Sequence, residues 1–266
     1  MTEELSSHRR YFSYNLLQVN YNRLLLKIMR DRVHFPVNKI LTALPPSEYK
    51  RLINHLKPVN LVSGKILLEP NEPIEKIYFP QRAMISLVSI MIDGSTTEIG
   101  LIGNEGMIGL PAILGGNSTT SRTIVQISGT ALEISADIIK KEFQRGEKLY
   151  ELLLLYTQAL LTQVSQTAAC NRQHNIEERL ARWLLSVHDC ILQDELPLTQ
   201  EFIANMLGTR RSGVTVAAGI LQQAGIIRYS RGKITIINQE GLEDAACECY
   251  RLVQNEFVRL LGSYRG

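Results

Sequence analysis

Between Phe202 and Gln239 the chain carries five basic side chains and no acidic one. The basic residues are Arg210, Arg211, Arg228, Arg231 and Lys233. A local excess of positive charge, rich in guanidinium groups that can pair with phosphates or base edges, is typical of a surface that binds a polyanion. The formal net charge of +3 over all 266 residues would not indicate this by itself. This segment is therefore the first candidate for function.

Two helices joined by a tight turn must position these side chains. Thr199 is a suitable N-cap for the first helix, Gly208 can take the left-handed conformation that ends it, and Thr209 can cap the second. The first turns of the second helix carry Arg210, Arg211, Ser212 and Thr215. Its expected apolar face consists of Val214, Val216, Ala217, Ile220 and Leu221. Polar first turns of this kind enter the major groove of DNA in helix-turn-helix proteins.

A short basic hairpin follows the second helix. Gly225 ends that helix, and apolar residues then flank the sequence Ser230-Arg231-Gly232-Lys233. The pattern predicts two strands joined by a tight turn, which places a wing beside the helix pair.

From Asn175 to Asn238 the chain resembles the winged-helix domain of the Crp/Fnr superfamily of bacterial transcription regulators. The motifs that carry the resemblance are Glu178–Leu185, Leu198–Ala204, Leu207–Arg211 and Leu221–Ile227. The resemblance implies that Arg211 reads a guanine edge, with Arg210, Ser212 and Thr215 as further base readers. It also implies phosphate contacts from Thr199, Gln200, Thr209, Arg231 and Lys233. Because Ser212 and Val216 replace charged residues of the cyclic-AMP receptor protein, we expect a different operator.

The region from Pro58 to Ser135 has a different pattern, with short apolar segments separated by Gly, Pro and Asn. The predicted strands are Lys65–Glu69, Lys76–Phe79, Ile85–Ile92, Thr97–Ile102 and Thr123–Ile127. Asp93-Gly94 predicts a type I′ hairpin turn. Many short antiparallel strands indicate an α+β chain with an N-terminal jelly roll. The segments Glu69–Ile74, Ile77–Pro80 and Gly103–Leu110 resemble the β-roll of the cyclic-nucleotide-binding-like domain.

An effector pocket is expected in this roll, around Gly106, Met107, Ile108 and Arg122. Family members that bind cyclic AMP have a glutamate directly after the glycine, to hold the ribose hydroxyl, whereas Met107 follows Gly106 here. Leaving sugar hydroxyls unpaired costs about 1–3 kcal/mol per buried group, so we expect no cyclic-AMP binding. Either apolar side chains fill the pocket or it takes a more apolar ligand, and the effector is unknown. The expected filling residues are Met107, Ile108, Leu110, Ile113 and Leu114.

A long helix is predicted from Lys148 to about Gln173, with an apolar stripe of Leu149, Leu153, Leu160 and Val164. The resemblance implies that this stripe is the seam of a homodimer, the alternative being a helix buried within one chain. Asn171 to Asn175 is the expected hinge. Amphipathic helices are predicted between about Tyr14 and Val33 and from Gly241 to Leu261, the latter packed on the winged helix.

The expected domains are an N-terminal extension (1–35), the β-roll (36–145), the dimerisation helix (146–174) and the winged helix with a C-terminal helix (175–266). Double-stranded DNA and a second copy are the expected partners, and the resemblance adds RNA polymerase. No membrane span or signal-like segment is visible, so a cytoplasmic location is expected.

No enzymatic activity, cofactor or metal site is expected. Cys170, Cys190, Cys247 and Cys249 show no C-x-x-C spacing, and buried thiols are the usual interpretation. A metalloenzyme of the cupin type would need histidines on the strands of the roll, and none lies between Pro58 and Ser135. A ligand-gated sensor whose helical domain binds protein rather than DNA remains the alternative.

Overall fold

The computed structural model describes residues 37–262. Antiparallel strands form the first part. They are β1 (Lys57–Leu61), β2 (Ile66–Leu68), β3 (Lys76–Pro80), β4 (Met84–Ile90), β5 (Thr96–Ile102), β6 (Arg122–Ile127) and β7 (Gly129–Ser135). They form two sheets, with the strand orders β1-β7-β3 and β2-β6-β4-β5. Both sheets contribute to one buried apolar cluster, so the roll has its own core. The predicted α+β class and antiparallel roll are confirmed.

The turn between β4 and β5 differs from the prediction. Gly94 has a φ of 83°, but Asp93 does not have a positive φ, so this is not a type I′ turn. Gly94 N donates to Met91 O at 3.0 Å and Met91 N donates to Ser95 O at 2.9 Å. This is a three-residue loop, a turn closed by a left-handed glycine. A left-handed glycine occurs both in a two-residue type I′ turn and at the end of a three-residue loop. The dipeptide Asp93-Gly94 alone therefore does not distinguish these two loops.

Four α-helices of the described part of the chain flank the roll. They are α1 (Lys39–Thr42), α2 (Pro46–Leu52), α3 (Ala136–Phe143) and α4 (Lys148–Gln173). The buried Glu48 carboxylate of α2 accepts from Lys148 N at 3.0 Å and from Leu149 N at 2.9 Å. Because the first amides of a helix have no partner within it, this carboxylate fixes the start of α4. The observed helix begins and ends at the predicted residues.

The C-terminal part is a winged helix-turn-helix, as predicted. Its elements are α5 (Ile176–Ile191), β8 (Glu195–Leu196), α6 (Gln200–Leu207), α7 (Arg211–Gln223), β9 (Ile227–Ser230), β10 (Lys233–Ile236), α8 (Gln239–Ala245) and α9 (Cys249–Leu261). A capping box at Asn175 and Glu178 starts α5. The order of the small sheet is β8-β10-β9, so β8 adds a third strand to the wing.

The predicted C-terminal helix is wrong in two respects. It consists of two helices, α8 and α9, because the backbone is extended at Ala246. As predicted, α8 packs on α5 of the winged helix, but α9 lies mainly along α4 and contacts α5 less extensively, for example through a hydrogen bond from the Tyr250 hydroxyl to Asp189 Oδ2 at 2.9 Å. The ring of Phe257 in α9 meets that of Tyr156 in α4 edge-on, with 6.5 Å between the centroids.

The winged helix rests on the roll through α6 and β5. Glu98 of β5 is buried and accepts from Trp183 Nε1 of α5 at 2.8 Å and from the Ser86 hydroxyl. Met206 of α6 also contacts Ser86. A buried carboxylate with polar partners on both sides fixes the relative placement of its neighbours. The core is therefore continuous from the roll into the winged helix.

Within residues 37–262, none of the helices has the length and apolar character to cross a bilayer. The predicted helix between Tyr14 and Val33 lies outside the described residues.

Candidate nucleic-acid interface

Local capping sets the geometry of the helix-turn-helix. Thr199 precedes α6 and its Oγ1 accepts from Phe202 N at 3.2 Å. Gly208 ends α6 with a φ of 58°, the left-handed conformation expected of it. Arg210, rather than Thr209, takes the N-cap position of α7, and no side chain caps that helix. The first turn of α7 thus presents free backbone amides together with two arginines.

The predicted base readers all lie on the outer side of α7. Arg210, Arg211, Ser212 and Thr215 are exposed. Within residues 37–262 the guanidinium groups of Arg210 and Arg211 have no hydrogen-bond or ion-pair partner. The Thr215 hydroxyl lies 2.8 Å from Gln200 Oε1 and 3.0 Å from Arg211 O, and donates to one of them. The two arginines are therefore available without breaking an internal contact, whereas the Thr215 hydroxyl already has an acceptor within the protein.

The apolar face of α7 is narrower than predicted. Val214, Ala217, Ala218 and Leu221 are buried, but Val216 is 64% exposed and Ile220 is also exposed. The buried residues follow the spacing i, i+3, i+4, i+7 of a single stripe, and Val216 and Ile220 lie outside it. Assigning both to the core was wrong. Val216 instead shares the outer surface with the polar residues of the first turns.

The wing places one basic residue at its tip. Arg231 and Gly232 have φ values of 49° and 78°, and Ser230 pairs with Lys233 across the turn. Two successive residues of positive φ define the type I′ turn. Arg231 is exposed at this tip, although an arginine rarely adopts positive φ.

Lys233 has a neighbour that its local sequence does not reveal. Its Nζ lies 2.6 Å from Glu195 Oε1, and both side chains are more than half exposed. Glu195 is on β8, before the acid-free segment, and reaches Lys233 only because β8 and β10 pair. An exposed ion pair of this kind contributes roughly 0–1 kcal/mol, so it weakens but does not cancel the charge of Lys233.

Protein atoms pack closely around three of the four predicted pocket residues. Met107 and Ile108 are almost fully buried, and the apolar cluster of the roll includes Ile108. Gly106 lies against the ring of Tyr156 in α4, so closely that a Cβ would overlap the phenol oxygen. Of the five predicted filling residues, Leu114 is wrong, because it is exposed.

Arg122, the residue of the predicted pocket whose positive charge could pair with a ligand phosphate, already has a partner. Arg122 Nε donates to Glu69 Oε2 at 2.9 Å, with both side chains about one-third exposed. A ligand phosphate at Arg122 would have to compete with this carboxylate.

The apolar stripe that was predicted as the dimer seam faces the interior of the chain. Leu149 and Leu153 are buried inside the chain, Leu160 packs on the core, and a methyl group of Val164 lies against Gly100 of β5. This stripe is buried within one chain, which is the alternative that the sequence left open. The exposed large apolar residues of α4 are Tyr150, Leu154 and Leu161, on another face of the helix.

Two family models match the chain. One is described as a Crp-like helix-turn-helix domain and matches residues 178–245. The other is described as a cyclic nucleotide-binding domain and matches residues 58–146.

The relatives are distant. A global nitrogen regulator of Synechocystis sp. is 23% identical over 207 residues, covering 73% of this chain and 92% of that protein. A CRP-like cAMP-activated global transcriptional regulator of Mycobacterium tuberculosis is 23% identical over 212 residues, covering 76% and 94%.

Solved structures share the fold. A putative transcriptional regulator of the crp/fnr family from Eubacterium rectale has a TM-score of 0.62 at 20% identity, covering 80% of this chain and 97% of that one. FixK2 from Bradyrhizobium japonicum also has a TM-score of 0.62, at 16% identity, covering 72% and 98%.

Proposed function

This chain belongs to the Crp/Fnr family of DNA-binding transcription regulators, and we propose that it recognises an inverted-repeat operator as a homodimer. A two-fold dimer presents two copies of α7, so its operator has two half-sites about one helical turn apart, roughly 10 base pairs centre to centre.

One observation supports this proposal most strongly, namely the exposed first turn of α7. Arg210 and Arg211 stand there without internal partners among residues 37–262, beside unpaired backbone amides and with no acidic residue in that turn. A helix N-terminus of this composition attracts phosphates, and a guanidinium group can bind guanine O6 and N7 together.

The residues of the interface divide into two groups. We assign base readout to Arg211, with Arg210, Ser212 and Thr215 beside it. Val216 adds an exposed apolar group that fits the methyl of thymine. The assigned phosphate contacts are Thr199, Gln200, Thr209, Arg231 and Lys233. Arg231 should contribute more than Lys233, because the latter also attracts Glu195.

The dimer is assigned to the exposed stripe of α4. Leu154 and Leu161 are exposed and stand seven residues apart, the spacing at which side chains of one helix meet a second helix in a coiled coil. Tyr150 extends the stripe towards the start of α4. A second copy of the chain is its occupant, because a two-fold axis at α4 gives the paired α7 helices that an inverted repeat requires.

The effector is not cyclic AMP in this proposal. Met107 stands where the ribose would need a carboxylate, Tyr156 closes the glycine side, and Arg122 is paired with Glu69. The effector remains unidentified, and contact with RNA polymerase stays a prediction from the family resemblance.

Salt-dependent binding to duplex DNA tests the DNA-binding role against the protein-binding alternative. Purified protein is titrated into a pool of random duplexes at several salt concentrations. The logarithm of the binding constant should fall linearly with the logarithm of salt, by about 0.9 per phosphate contact. Absence of binding at low salt would favour a helical domain that engages protein.

A further inference from the structure

Three thiols and one imidazole meet where the central helix ends. Cys170 lies in the last turn of α4 and His174 directly follows that helix, while Cys247 and Cys249 flank the start of α9. Their sulfur and nitrogen atoms all lie within 4.8 Å of one another. We call these four residues the thiol–imidazole cluster. The two chain segments that form it are more than 70 residues apart, so neither C-x-x-x-H nor C-x-C is recognisable in the sequence as half of a site.

Two of the separations match those between ligands of a single ion, and the others do not exceed 4.8 Å. Cys170 Sγ lies 3.5 Å from Cys247 Sγ, and Cys249 Sγ lies 3.5 Å from His174 Nδ1. In a tetrahedral zinc site, bonds of about 2.3 Å to sulfur and 2.0–2.1 Å to nitrogen place the ligand atoms roughly 3.5–3.8 Å apart. An iron–sulfur cluster spreads its ligands over two or more irons and would not bring all four atoms so close.

The surroundings orient the ligands as in a metal site. His174 Nε2 lies 3.2 Å from Glu248 Oε2, so Nε2 can donate to the carboxylate and leave the lone pair of Nδ1 directed at the thiols. Carboxylate–imidazole pairs of this kind fix the tautomer of metal-binding histidines. Gln166 Nε2 also donates to Cys249 Sγ at 3.0 Å.

Positive charge compensates the thiolates. A zinc ion with three thiolates and a neutral imidazole carries one net negative charge. The guanidinium group of Arg182 lies close enough to act electrostatically on Cys170. Arg182 Nε is buried and has no hydrogen-bond partner among the described residues. A positive charge near the thiols lowers the cost of holding a net negative charge at the site.

We propose that the thiol–imidazole cluster binds one zinc ion per chain, as a structural site with four protein ligands. The site joins the connection between α8 and α9 to the end of α4, next to the short link into α5. Zinc therefore holds α8, α9 and the DNA-binding part to α4. This replaces the expectation of ordinary buried thiols.

Metal analysis of purified, dialysed protein tests the proposal. Wild type should contain about one zinc per chain, and cobalt exchanged into the site should give the visible absorption of a tetrahedral thiolate complex. Cys247→Ser should lose zinc to a chromophoric chelator at least 100-fold more readily. Cys190→Ser is the matched control, because this fourth buried cysteine lies outside the cluster. It should retain zinc like wild type.

A second pair of variants keeps the test decisive if Cys247→Ser does not fold. Glu248 is 75% exposed, so Glu248→Gln should fold normally and weaken zinc binding about 10- to 100-fold by removing the partner of His174. His174→Cys should retain the metal, because four thiolates also suit zinc. Wild type without zinc or a cobalt–thiolate spectrum would overturn the proposal. Zinc retention that is the same in Cys247→Ser, or an iron chromophore in wild type, would do so as well.

Discussion

Replacing Arg211 with alanine should reduce sequence-specific binding far more than general binding to DNA. Arg211 is exposed, starts α7 and has no partner within residues 37–262, so the substitution removes no stabilising interaction inside the protein. A bidentate contact to guanine discriminates by about 1–3 kcal/mol per half-site, or roughly 2–6 kcal/mol for two half-sites. At about 1.4 kcal/mol per tenfold change, the operator affinity should fall roughly 30-fold to 10⁴-fold.

Titrations of an operator duplex and a scrambled duplex at several salt concentrations measure this effect. Arg231→Ala provides the contrast, because removing a phosphate contact at the wing should weaken binding to both duplexes alike. It should also make the salt slope shallower by about 0.9 for each phosphate that the variant no longer neutralises. Lys50→Ala is the control for loss of charge alone, since Lys50 is on α2, beside the roll. It should change neither the ratio of the affinities for the two duplexes nor the slope of the salt dependence.

The assignment of Arg211 fails if the variant keeps its preference for the operator over the scrambled duplex. Equal decreases in affinity for both duplexes would make Arg211 a phosphate contact and place base readout elsewhere on α7.

Three further predictions concern assembly, domain contact and ligand. Leu154→Glu should give monomers by light scattering, because it buries an unpaired charge at the proposed seam, whereas Leu153→Glu should lower thermal stability by disrupting the core; a dimeric Leu154→Glu protein would refute this seam. Glu98→Ala should destabilise the protein by about 1–3 kcal/mol, because the indole N–H of Trp183 loses its acceptor. Trp183 is the only tryptophan, so the fluorescence spectrum should also change. An unchanged spectrum would contradict the contact between Glu98 and Trp183. Calorimetry with cyclic AMP should detect no binding at micromolar concentrations, because Arg122 is paired with Glu69 and Met107 cannot hold the ribose; a binding isotherm would disprove that reasoning.

Local signals in the sequence predicted the two helices of the helix-turn-helix and the turn between them, but not the N-cap of α7. The caps and turns there depend on single residues such as Thr199 and Gly208, whose preferences act over one helical turn. The sequence did not determine which apolar face of α4 is buried within the chain. The stripe of α4 that contains Leu153 and the one that contains Leu154 are both apolar, and only the packing of the roll decides which is covered.

Long-range pairing could not be predicted from one sequence. Glu195 reaches Lys233 through strand pairing, and Cys170 reaches Cys247 because α9 folds back along α4. In each case the two residues are far apart in sequence, and no local preference indicates that they meet. The charge of the wing and the thiol–imidazole cluster therefore emerged only from the three-dimensional structure.

Selection of random duplexes by the wild-type protein tests the central claim most directly. The account predicts an enriched inverted repeat with guanine at a fixed position in each half-site and half-sites about 10 base pairs apart. The same selection with Arg211→Ala should show no preference at that guanine. An asymmetric enriched sequence, or an unchanged guanine preference in the variant, would contradict the assignment of α7 as the sequence reader of a two-fold dimer.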